Sequence, residues 1–139
     1  MDAKELLSAY AQLGFDSIDT TEKEIAILNY IEQHKETCPE PLYRGIMVDS
    51  DFKIEAGEKV QFQNLFASFD EDEEVALEFA SRRKNGVVYV LNDAEGLPVY
   101  MHTDVCAGET EWLILDREFE VLEVEQSEEY ENITLVTIV

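Results

Sequence analysis

Leu42-Tyr43-Arg44-Gly45-Ile46-Met47 is where this chain changes character. Upstream, apolar residues recur at helical spacing; downstream, they come in short and nearly continuous runs. The stretch follows Pro39 and Pro41, which discourage a helix from continuing, so it reads as the first strand of a sheet. On its upstream side, Leu6, Leu7, Tyr10 and Leu13 share one face of a helix from Ala3, with Gly14 as its stop. Thr21 and Glu24 have capping-box spacing at the start of a second helix. That helix is expected to bury Ile25, Leu28 and Ile31, to gain width from Ile27 and Tyr30, and to fade near Thr37.

On the downstream side, Lys59 to Phe69 reads as a second extended segment, with Val60, Phe62, Leu65 and Phe66 as its apolar members. Asp70 is expected to cap a short helix over 71–83, with Val75, Ala76, Phe79 and Ala80 on one face and Gly86 as its end. Further strands are predicted at Val87 to Leu91, Pro98 to Met101, Trp112 to Leu115, Phe119 to Val124 and Ile133 to Ile138. With no internal repeat or linker, the sequence predicts one α+β domain over 1–139, helical to residue 40 and strand-rich from 41.

Composition narrows the function. The 32 acidic and 10 basic residues give a formal charge of −22, which repels phosphate backbones and anionic membranes and attracts basic surfaces. Neither nucleic acid nor membrane is therefore an expected partner, and no apolar run has membrane-spanning length. The first residues lack the layout of a secretory signal, and Cys38 and Cys106 lack metal-type spacing. Reduced thiols in a cytoplasmic protein are expected, with no metal. His34 and His102 stand far apart in sequence, each read as a structural histidine.

Three features bear on chemistry: Tyr43-Arg44-Gly45 on the first strand, Ser68 at the end of the second, and Glu109-Thr110-Glu111 entering a later one. A bare Glu-x-Glu means little here, because the chain holds six such triplets, starting at Glu22, Glu71, Glu109, Glu118, Glu123 and Glu129. Glu22 and Glu24, like Glu71 and Glu73, suit first helical turns, while Glu118 and Glu120 alternate with Phe119 and Val121 as the wet face of a strand. Glu109 and Glu111 differ because Ala107-Gly108 can turn the chain and deliver both onto an apolar strand. Taken singly, Arg44 reads as a salt-bridged arginine and Ser68 as a strand-end hydroxyl.

Taken in order, the arginine, serine and paired glutamates resemble the arginine–serine–glutamate branch of the mono-ADP-ribosyltransferases of bacterial toxins, bacteriophages and animals. The helix before the Leu-Tyr-Arg-Gly strand, the segment Val75-Ala76-Leu77-Glu78-Phe79-Ala80 and the run Glu109 to Leu115 extend the likeness over most of the chain. The resemblance implies N-terminal helices packed on two small, roughly perpendicular mixed or antiparallel sheets that flank an NAD cleft. It further implies that NAD is the co-substrate, that Arg44, Ser68 and Glu111 bind it, and that Glu111, Glu109 and Ser68 are catalytic. By their own chemistry Gly45 would let backbone approach the ligand closely, and Phe66, like Phe62 or Phe69, could stack on nicotinamide, with core packing as the alternative role. Glu111 would stabilise charge on the ribose and Glu109 would orient an arginine acceptor on a basic or arginine-bearing target protein.

Where the family has Ser-Thr-Ser, this chain has Ser68-Phe69-Asp70, so two secondary hydroxyls are missing. The chain also resembles a bare catalytic domain, expected to act in the cytoplasm of the producing or an infected cell. Two other readings stay open: NAD glycohydrolysis with water as acceptor, and an acidic binding or inhibitor protein on a degenerate transferase fold. Oligomeric state is not legible.

Overall fold

The computed structural model describes residues 2–13, 18–62, 65–103 and 109–139. Helices α1 (Ala3–Leu13) and α2 (Thr21–His34) come first. Strands β1 (Glu36–Thr37), β2 (Leu42–Val48), β3 (Lys59–Val60) and β4 (Phe66–Asp70) follow, then helix α3 (Glu73–Ala80). The chain closes with β5 (Asn85–Leu91), β6 (Glu95–Pro98), β7 (Glu111–Leu115), β8 (Phe119–Gln126) and β9 (Ile133–Ile138). Among the described residues these strands run in the order β1-β6-β7-β4-β2-β5-β9-β8-β3. All pairings are antiparallel except β5 with β9.

That order is continuous, which modifies the expectation of two separate sheets, but it has a seam. β2 and β4 meet at one residue pair, Tyr43 with Asp70, whereas β2 pairs with β5 along its whole length. The seam divides the strands into a half made of β1, β6, β7 and β4 and a half made of β2, β5, β9, β8 and β3. Between the halves lies a core in which Ala67, Phe69, Trp112 and Ile114 meet Leu42, Val87, Tyr89, Phe119, Val121 and Val136. α1 and α2 cover the outer side of the first half through Leu6, Leu7, Tyr10, Ile27 and Ile31, packed on Phe66, Leu97 and Leu113. α3 covers the outer side of the second half through Ala76, Leu77 and Ala80, against Val88 and Ile133.

Several local expectations are corrected. The cap of α2 is Thr20, whose hydroxyl accepts from the Lys23 amide at 3.3 Å. Its inner face is Ile27 and Ile31, while Ile25 is exposed. The helix stops at His34, and Glu36–Thr37 is already a strand. The segment from Lys59 to Phe69 is two strands in different halves, not one.

α3 starts later than expected and is capped by Asp72, which accepts from the Glu74 amide at 3.0 Å; Asp70 remains in β4. Glu71 thus lies outside the helix, and Val75 and Phe79 face solvent while Leu77 is buried. The helix ends at Ala80, and Gly86 belongs to β5. Val99–Met101 forms a 3₁₀ turn after β6, not a strand. Gly14, Cys106 and the Ala107-Gly108 turn lie outside the described residues.

Candidate active site

The seam decides which side chains meet. In β4, Ser68 shares a face with buried Phe66, and in β7 Glu111 shares a face with buried Leu113, so both face the α1–α2 side. Paired strands bring them together, with Ser68 opposite Leu113 and Asp70 opposite Glu111. The Ser68 hydroxyl donates to Glu111 Oε2, and the Tyr10 hydroxyl, delivered by α1, donates to the same oxygen at 3.5 Å.

From the other half, Arg44 reaches across the seam and its Nη1 donates to the Ser68 carbonyl at 3.0 Å. Its guanidinium carbon lies 5.1 Å from the centre of the Phe62 ring, close enough for the ring face to stabilise the cation. Arg44, Ser68 and Glu111, 67 positions apart at the extremes, are thus one cluster.

The electrostatics follow from partial burial. Burial pushes the Glu111 carboxyl above the usual glutamate range; the Ser68 bond draws it down, Glu109 and Asp70 push it up, and the Tyr10 bond draws it down again. The Arg44 guanidinium is pulled below its ordinary value by burial and supported by Tyr10, Asp116, Tyr89 and Glu111. It is a cation all the same, because the delocalised guanidinium of arginine is not deprotonated in folded proteins. Among the described residues its buried Nε has no hydrogen-bond partner.

Glu109 is exposed, as suits a group that meets a second reactant. Between the two glutamates, Thr110 is clamped: its hydroxyl donates to Asp70 Oδ1 at 2.6 Å, and its carbonyl accepts from the Glu71 amide at 3.2 Å. Glu71 Oε2 accepts from Trp112 Nε1 at 2.8 Å and from the Tyr100 hydroxyl. The Ser68-Phe69-Asp70 stretch therefore lacks two hydroxyls but supplies one carboxylate, Asp70, which with the following Glu71 fastens the start of β7.

Two expected ligand contacts are corrected. Phe66 is buried beneath α1 and α2, edge-on to Tyr10 with ring centres 5.9 Å apart, so it is a core residue. Gly45 lies on the face of β2 opposite Arg44, where a Cβ would stand 2.0 Å from the Ala76 carbonyl oxygen. The close approach that requires glycine there is to α3, not to a ligand.

Phe69 is also core, which leaves Phe62, of the three phenylalanines, beside Arg44. Tyr10 is the site residue that sequence reasoning missed, because in the sequence it is one member of an apolar stripe. The two histidines are neighbours, with ring centres 5.6 Å apart and a 2.9 Å hydrogen bond between the Tyr30 hydroxyl and His102 Nδ1. No group of three or more candidate metal ligands occurs among the described residues. The surface hollows along Ser81, Arg83 and Glu129 to Ile133 and along Val48, Asp49 and Asn85 share no residue with the cluster.

No family model matches the sequence, and no curated protein matches it significantly. Solved structures do match the fold. Vis toxin, an ADP-ribosyltransferase from Vibrio splendidus, aligns with a TM-score of 0.65 at 17% identity, over 99% of this chain and 67% of that one. The same enzyme in complex with agmatine aligns at 0.61 and 15% identity, over 99% and 68%. Plx2a, an ADP-ribosyltransferase toxin from Paenibacillus larvae, aligns at 0.66 and 11% identity, over 99% and 85%. Exoenzyme S from Pseudomonas aeruginosa, bound to carba-NAD, aligns at 0.55 and 16% identity, over 96% and 65%. These alignments show that the chain has the fold of the bacterial ADP-ribosyltransferases.

Proposed function

We propose that this protein cleaves NAD between nicotinamide and ribose and transfers ADP-ribose to an arginine side chain of a basic protein. The observation that carries the reading is the meeting of Arg44, Ser68 and Glu111 at the seam of this fold. The residues fit the dinucleotide. Arg44 offers a planar cation whose Nε lacks a partner among the described residues, suited to a pyrophosphate. Phe62 offers an aromatic face beside it. The carba-NAD held by exoenzyme S and the agmatine held by Vis support the two reactants, since agmatine carries the guanidinium of arginine.

The chemistry suits a preplaced carboxylate. Nicotinamide leaves as a neutral molecule, so no general acid is required, and the barrier is the positive charge that develops on the ribose. Glu111, fixed by Ser68 and half-buried, faces that charge more favourably in the transition state than in the ground state. An arginine acceptor keeps its proton to a pKa above about 12 and is a poor nucleophile. Exposed Glu109, one residue removed from Glu111, is placed to orient it and to take its proton as attack proceeds. The cytoplasm of the producing or an infected cell is the proposed site of action.

The test is incubation with labelled NAD and cell extract, followed by mass spectrometry. ADP-ribose on arginine supports the proposal. Free ADP-ribose alone identifies a glycohydrolase, and intact NAD identifies a binding protein on this fold.

A further inference from the structure

The Glu111 carboxylate does not depend on Ser68 alone. Tyr10 lies on the buried face of α1, 4% exposed, with its ring set edge-on against Phe66 and its hydroxyl aimed at Glu111 Oε2. Ser68 donates to that same oxygen, so two hydroxyls from two elements converge on one side of the carboxylate. Oε1 takes part in neither bond.

We propose that Tyr10 is a positioning residue: with Ser68 it fixes Oε2, turns Oε1 toward the reacting ribose, and helps keep the carboxylate ionised. This rests on the reading of Glu111 as the group that meets the ribose. Among the described residues, the remaining charged or titratable neighbours of the carboxylate are Arg44 from β2, Asp70 from β4 and Glu109 from its own segment. Glu109 and Asp70 favour the protonated form, which is inert toward a developing positive charge. The Ser68 and Tyr10 donors oppose them. At 3.5 Å the Tyr10 bond is long, and a shift of less than ~1 Å brings it to the ordinary hydroxyl–carboxylate length. Burial and the adjoining Glu111 charge keep the phenol protonated, well above its usual range, so it remains a donor throughout the working pH.

The test is Tyr10→Phe, which keeps the ring on Phe66 and removes only the hydroxyl. Nicotinamide release should fall roughly tenfold in kcat, with KM for NAD little changed, as expected for one lost hydrogen bond to a charged acceptor. The acid limb of the pH–rate profile should move to higher pH, because Glu111 loses a donor that favours its charged form.

In parallel, carbon NMR of glutamate-labelled protein should show Glu111 titrating at higher pH in Tyr10→Phe than in the parent. An unchanged Glu111 titration would overturn the proposal, even if the rate falls, since a purely structural role leaves it in place. The two failures are separable: a parent protein that leaves NAD intact defeats the enzymatic reading, while the titration still decides whether Tyr10 governs Glu111.

Discussion

The two edges of β2 are built on opposite principles. Along one edge each residue from Leu42 to Val48 pairs with β5; along the other, among the described residues, only Tyr43 pairs, with Asp70 of β4. The zipped edge is scaffold. Its outer face receives α3 so closely that Gly45 and Gly86 lie against the Ala76 and Ala80 carbonyls. The open edge carries the proposed site: there the Arg44 guanidinium donates to the Ser68 carbonyl across the seam. Full pairing consumes the backbone donors and acceptors of an edge, and a seam leaves some to polar side chains. Chemistry-bearing residues from both halves can therefore meet without opening the core.

That contrast is broken most severely on the scaffold side. Gly45→Ala places a methyl 2.0 Å from the Ala76 carbonyl oxygen, and stability should fall by about 3 kcal/mol in urea titration as α3 is displaced. A loss under about 1 kcal/mol would show that the zipped edge yields and is no rigid frame.

The seam responds differently. Thr110→Val removes the hydroxyl that Asp70 holds and should cost about 1–2 kcal/mol of stability, as for a hydrogen bond to a charged acceptor. Nicotinamide release should fall more than stability suggests, roughly tenfold, because Glu111 follows directly in the chain. A variant with parental rate would show that the Asp70 clamp plays no part in setting the site.

The smallest structural effect is expected at Glu109→Gln, an exposed position, with stability within about 0.5 kcal/mol of the parent. Transfer to arginine should be lost while hydrolysis of NAD persists. Equal loss of both reactions would contradict the division of roles between the glutamates.

How much of this was legible depends on which residues carried the signal. β5, β8 and β9 are readable because their apolar runs alternate or continue in ways a helix does not, as in Val87 to Leu91 and in Phe119 with Val121. The ordered Arg44, Ser68 and Glu111 could be read as a set, and the structure brings them together. Other features were hidden by degeneracy. Asp70 and Asp72 are equally good caps by type, and only the pairing of Asp70 with Tyr43 and Glu111 keeps it in β4.

Val99-Tyr100-Met101 has strand-like residues, yet Tyr100 and Trp112 both bond Glu71 and the segment forms a 3₁₀ turn. Phe62, Phe66 and Phe69 are equivalent by type as ligand aromatics, and only burial shows Phe66 and Phe69 to be core residues. Tyr10 could not be picked out, since an apolar stripe does not tell which member ends in a useful hydroxyl.

The central claim is that Glu111 works as a carboxylate held at the seam, and Glu111→Gln tests it most directly. Nicotinamide release from NAD by the parent should decline as pH falls through the raised range in which the buried carboxyl takes up a proton. In the variant, release at neutral pH should drop roughly 100- to 1000-fold. Its melting temperature should be unchanged or higher, because burial disfavours the charged form and glutamine carries no charge. A variant that releases nicotinamide within about twofold of the parent would contradict the account, since electrostatic groups of this kind contribute far more than that.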